Sequence, residues 1–197
     1  MNYLAHQHLS FDIDEIMVGN FIADAVKGRE WSNYSEGVQL GIEIHRFIDS
    51  YTDSHPLPLD SRKLMYAHFG KYAAVVQDIF YDHFLARDWQ SYHEMPLEHF
   101  AMKVYSTLHD YEPVLNERSS RTLHYMSLQN WLEGYARKEG IDRALKGMAS
   151  RAKFVSHMDN ALPALERHFD ELLDHFTTFF PQLEAAVQAR FAERISR

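Results

Sequence analysis

His45, Asp49 and Asp53 recur at four-residue intervals in the stretch G-I-E-I-H-R-F-I-D-S-Y-T-D-S-H-P, residues 41–56. On a helix, side chains at that spacing stand one above another, with Cβ atoms roughly 5–6 Å apart. The apolar positions Leu40, Ile44, Phe47 and Tyr51 share the same period, so the stretch is predicted to form one amphipathic helix. A second stripe of Val38, Ile42, His45 and Asp49 sets an imidazole and a carboxylate on an otherwise apolar face. Such a pair can share a metal ion. The plainer alternative is a His–Asp hydrogen bond, with Asp53 solvated near the helix end. Ile13, Met17, Phe21 and Asp24 also fall at helical spacing, which predicts a carboxylate on a buried stripe, where leaving it unpaired would be costly. The run D-I-F-Y-D-H-F at 78–84 adds Asp78, Asp82 and His83 among aromatics. Asp82 and His83 stand about 100° apart around a helix, close enough to border one cavity.

Three helical faces bearing His or Asp on apolar stripes are what bundles use to build metal sites. Asp24, His45, Asp49, Asp82 and His83 are therefore the candidate ligands, and hard oxygen with imidazole suits Mn²⁺, Mg²⁺ or Fe²⁺. An ion held there would lower the pKa of a bound water and polarise a phosphoryl oxygen. Arg46 is placed to meet phosphate oxygens, with Lys27 and Arg151 as further candidates; for each cation the alternative is a solvated side chain. His6 and His8, two apart, point in different directions and are not a chelating pair. There is no G-x-S-x-G elbow, P-loop or G-x-G-x-x-G, and no E-x-x-H motif of di-iron bundles around the cluster. Metal-assisted hydrolysis of a phosphoester is the favoured chemistry.

The elements that must position these groups are helices. One is predicted over the first nine residues with Asn2 as N-cap, and a second after Asp12, which would cap it with Glu15 completing a capping box. The 41–56 helix should end at Pro56 and Pro58 in an extended connection. Further helices are expected from Gly70, over 96–111, 119–138, 141–150 and 160–178, and from about 181 to 195, with breaks at Pro113, Gly140 and Pro181. No strand-like alternation or internal repeat is visible, so the chain reads as one all-α domain over residues 1–197, a helical bundle.

The composition, 46% hydrophobic and 24% charged over 197 residues, is that of an ordinary globular chain. The absence of cysteine excludes disulfides, thiolate metal sites and cysteine nucleophiles. A net charge of −8 argues against a general nucleic-acid binder. No run approaches the ~20 apolar residues of a membrane span, and the N-terminus does not read as a signal peptide, so the expectation is a cytoplasmic protein.

Five ordered blocks carry a resemblance: N-Y-L-A-H-Q-H-L at the start, G-N-F-I-A-D-A-V-K-G at 19–28, the 41–56 stretch, D-I-F-Y-D-H-F-L-A at 78–86 and G-M-A-S-R at 147–151. The chain resembles the acyl carrier protein phosphodiesterases over essentially its whole length. The resemblance implies a divergent, HD-domain-like metal phosphohydrolase that splits 4′-phosphopantetheine from the serine of holo-acyl carrier protein, with Mn²⁺ as the usual metal. It implies Asp24, His45, Asp49, Asp82 and His83 as the metal-site residues, with Asp24, His45 and His6 in catalysis. The H…HD…D order of the wider HD group is absent, and Asp82-His83 is a reversed pair. Carrier proteins are acidic, so docking to this acidic chain would need a local basic patch, for which Arg143, Lys146, Arg151 and Lys153 are candidates. The competing readings are a phosphohydrolase of a small phosphoester or nucleotide, and a non-catalytic helical binding protein.

Overall fold

The structure, a computed structural model, describes residues 1–195. Among the described residues the fold is all-α, without strands. In chain order the helices are α1 (Tyr3–His8), α2 (Asp14–Ile22), α3 (Glu36–Ser54), α4 (Pro56–Phe69), α5 (Ala73–Arg87), α6 (Leu97–Asp110), α7 (Glu117–Leu128), α8 (Trp131–Gly134), α9 (Lys138–Ala149), α10 (Leu162–Arg167) and α11 (Phe169–Ile195). Their buried side chains form one connected core. Among the described residues, no helix is long and apolar enough to cross a membrane.

α5 is the central helix. Val76, Gln77 and every residue from Ile79 to Ala86 are buried, as expected of a helix packed on all sides rather than along one stripe. α1 and α9 lie against it, and α11 packs on α3, α4 and α5. α2 and α3 cross at Gly19 and Gly41. A Cβ on Gly19 would collide with the Val38 carbonyl oxygen and lie 2.9 Å from Gly41 Cα, so only glycine lets the two backbones meet.

The helix ends depart from the sequence expectations for identifiable reasons. Asn2 stands at the N-cap of α1 but does not cap it with its side chain, which donates to the Tyr135 hydroxyl instead. Asp82, on α5, accepts from the Asn2, Leu4 and Ala5 N–H groups at 3.3, 2.7 and 3.3 Å, so a distant helix supplies the cap. Asp12 has φ 59° and pairs with Lys103, while the capping-box partner Glu15 accepts from Ser35. α2 therefore begins one residue later than Asp12 predicts, with Ile13 at its N-cap.

Pro56 ends α3, but no extended connection follows. Only His55 is extended, and Pro56 occupies the first turn of α4, where its missing N–H costs nothing. The expected 119–138 helix is split at Asn130, which takes a left-handed conformation. Asp142 lies inside α9, paired with Lys146. Pro181 does not break α11. An internal proline costs about 3 kcal/mol, here outweighed by burial of Phe176, Phe179, Phe180, Leu183, Val187 and Phe191 on either side of it.

Two outcomes follow from this packing. Gly19→Ala should destabilise the chain by about 3 kcal/mol, because backbone rather than a flexible side chain blocks the added methyl; a thermal melt indistinguishable from the parent's would refute the close crossing. Burial pushes the Asp82 carboxyl up to about 7, against its backbone hydrogen bonds. The folded state then binds a proton that the unfolded state releases near pH 4, so this group lowers stability as pH rises through that window to about 7. Asp82→Asn should remove that part of the slope, read as the change in Tm between pH 4.5 and 7.5.

Candidate metal centre

α1, α2 and α3 converge on His6, Asn20, His45 and Asp49. Among the described residues, His6, His45 and Asp49 form the one group of three or more metal-ligating side chains whose donor atoms all lie within 4.8 Å of one another. The two imidazoles stack with centroids 4.1 Å apart and planes 22° apart. His6 Nε2 lies 3.1 Å from Asp49 Oδ1, and His45 Nε2 lies 3.2 Å from Asp49 Oδ2 and 3.3 Å from Asp24 Oδ1.

Asn20 decides how the rings are protonated. Its Nδ2 donates to the His6 carbonyl at 2.8 Å and to Ser10 at 3.1 Å, which fixes the orientation of the amide. Its Oδ1 then accepts from Nδ1–H of His6 at 2.8 Å and of His45 at 3.1 Å; the Asn20 carbonyl also takes His45 Nδ1–H at 2.9 Å. An amide oxygen is only an acceptor, so both rings carry their proton on Nδ1 and turn Nε2 toward the carboxylates. Fixing the far nitrogen of a liganding histidine in this way is the usual support of a metal site.

The charge balance is lopsided. Burial, with the His45 ring beside it, pulls His6 down to about 4 in spite of Asp49. His6 is therefore neutral near pH 7, and its Nε2 lone pair faces a carboxylate oxygen, acceptor against acceptor. Burial also pulls on His45, but Asp24 and Asp49 override it and push that imidazole up to about 9. His45 Nε2 is nonetheless buried without a hydrogen bond of good geometry to either carboxylate. Burial disfavours the Asp49 carboxylate, yet the two imidazoles hold it well below the usual range, and the His45 imidazole holds Asp24 down as well. A divalent cation fits this donor set: two imidazole nitrogens and carboxylate oxygens converge where the protein supplies one proton.

The remaining candidates are distributed elsewhere. Asp24 is not on a buried stripe: α2 ends at Ile22, and a 3₁₀ turn carries Asp24 out to 70% side-chain exposure at the mouth of the cluster. Asp82 is turned to the N-terminus of α1, and His83 Nδ1–H donates to the Tyr135 carbonyl at 2.7 Å. Neither joins the group, because α5 presents them to α1 and α8 rather than to α3. Asp53 is bound to Arg62 at 2.6 Å. Asp78 lies 3.1 Å from the Met1 amine, which is also 3.9 Å from Asp49. Arg46 is exposed one residue beyond His45, Lys27 is exposed three residues beyond Asp24, and Arg151 lines a separate cavity beside α8 and α9. Sequence reasoning passed over Asn20; the available signal was an amide among apolar neighbours, one residue after a glycine, inside a predicted helix.

Comparison with known proteins shows the family. The family model described as "Acyl carrier protein phosphodiesterase" matches residues 1–183. A protein of that name from Yersinia pestis is 33% identical over 189 residues, 95% of this chain and 98% of its own. Its namesakes from Enterobacter sp. (strain 638) and Serratia proteamaculans are 34% identical over 96% of this chain and 98% of theirs, and 33% identical over 93% and 95%. No solved structure matches the chain significantly. By profile and by relatives spanning nearly its whole length, the chain belongs to the acyl carrier protein phosphodiesterase family.

Proposed function

We propose that this chain is a metal-dependent phosphodiesterase, of the helical HD-like type, that cuts 4′-phosphopantetheine from holo-acyl carrier protein and leaves the apo carrier. The observation that carries the reading is the convergence of His6 Nε2, His45 Nε2 and the Asp49 oxygens, in which neutral His6 turns a lone pair toward a carboxylate oxygen while both Nδ1 atoms are committed to Asn20. The family's printed name supplies the substrate class. His6, His45 and Asp49 would hold the ion and Asp24 would complete the set from the solvent side; Mn²⁺ is the proposed metal, with Mg²⁺ or Fe²⁺ able to use the same ligand types.

When bound, the ion supplies Lewis acidity toward a phosphoryl oxygen and toward water. The chain's own groups do the rest. Asp24, ionised and exposed, takes a proton from the attacking water and returns it to the departing serine oxygen. One P–O bond forms to water as the P–O bond to serine breaks, so the products are a phosphomonoester and a free serine hydroxyl. Arg46 and Lys27, both exposed and close in sequence to His45 and Asp24, are the cations assigned to the non-bridging oxygens. Asp82 and His83, turned away, take the role of holding α1 and α8 in place. Arg143, Arg151 and Lys153 remain exposed for the acidic carrier, whereas Lys146 is engaged by Asp142 at 2.6 Å.

Metal-stripped chain should leave holo-acyl carrier protein intact, and added Mn²⁺ should restore loss of the 4′-phosphopantetheine mass, read by mass spectrometry of the carrier. His45→Ala should abolish that loss. A folded chain inert with every divalent ion tried would sink the substrate assignment. Asn20→Ala should weaken metal binding about 10–100-fold and lower stability by about 1–3 kcal/mol. Mn²⁺ affinity unchanged in that variant would show that the amide does not orient the ligands.

A further inference from the structure

A cavity of about 250 Å³, separate from the metal centre, opens between α8 and α9. Trp131, Tyr135 and Met148 give it apolar walls, and the exposed Arg143 and Arg151 line it as well. Gly147 faces open space there: a Cβ at that position would meet only Arg151 Nη2, at 3.8 Å. Asn130 also lines the cavity. Its Nδ2 donates to Glu133 at 2.6 Å, which fixes the amide, and leaves Oδ1 buried with no donor among the described residues. A buried amide oxygen without a donor is costly and awaits an N–H from a ligand.

The cavity is linked to the metal centre through α1. Tyr135 accepts from Asn2 at 2.9 Å, and the Tyr3 and Trp131 ring centroids are 6.3 Å apart. Tyr3 and His6 are three apart on α1 and share its face, with Cβ atoms roughly 5–6 Å apart. Asp24 beside His45 and Arg151 at the cavity both act electrostatically on the half-buried Tyr3.

We propose that this cavity binds the pantetheine arm, with Asn130 Oδ1 accepting one of its amide N–H groups and Gly147 leaving room for its chain. The choice of ligand rests on the proposed function; the pocket's match to it does not. Pantetheine is narrow, carries two secondary amides and ends in a thiol. Its methyl and methylene groups suit apolar walls, and an amide N–H suits the one orphan acceptor.

Isothermal titration calorimetry on the full chain, using pantetheine and separately 4′-phosphopantetheine, tests this without turnover. Both should bind. Gly147→Leu should weaken pantetheine binding at least tenfold; leucine raises helix propensity within α9, so the fold is not at risk. Asn130→Gly keeps the left-handed backbone, removes the acceptor and should weaken binding several-fold. No pantetheine binding to the parent chain, or binding unchanged in Gly147→Leu, overturns the proposal. Gly147-sensitive binding by a chain that leaves holo-acyl carrier protein intact would uphold the pocket while overturning the proposed reaction.

Discussion

Asn20 reaches two imidazoles at once only because α2 and α3 touch backbone to backbone at Gly19 and Gly41. Any side chain at either glycine would part the helices, and the amide oxygen would then lose at least one Nδ1–H. The contact therefore does more than fill space: it commits Nδ1 of His6 and of His45 to Asn20 and so sets the direction of both Nε2 atoms. The geometry of the His6–His45–Asp49 cluster is in this sense a consequence of two missing Cβ atoms.

A second constraint holds α1. Six residues make too short a helix to persist on its own propensity, and α1 carries His6. Asp82 supplies from α5 the acceptor that the first-turn N–H groups of α1 lack, and α5 is buried all round. Burial disfavours the charge on Asp82 and the N–H groups favour it, so the same contact that fixes His6 makes part of the stability depend on pH. Asp82, a candidate ligand by sequence, thus caps the helix that carries His6.

The centre is asymmetric in exposure. His6 and His45 are buried, Asp49 is 41% exposed and Asp24 is 70% exposed. Burial raises the cost of the unbalanced charges and so favours uptake of a cation. Exposure at Asp24 leaves one side open to a phosphodiester carried on another protein. A deep site could not admit such a substrate, because the scissile bond lies next to the carrier's own backbone.

The sequence by itself determined the all-α class, the α3 helix and the pairing of His45 with Asp49, because these rest on periodicity and on neighbours four residues apart. The family also follows from ordered blocks that need no coordinates. Only the tertiary structure decided that His6 joins His45, that Asp82 and His83 do not, and that Asn20 orients the rings, since each depends on which face a helix turns to a distant partner. Asp24 shows the limit from within one segment: its spacing after Phe21 predicts burial, but α2 stops at Ile22 and the carboxylate emerges into solvent. Pro181 shows the reverse, a local break signal overridden by aromatic burial on both sides of it. Spacing fixes what one element can present; the core that forms around it decides what each side chain meets.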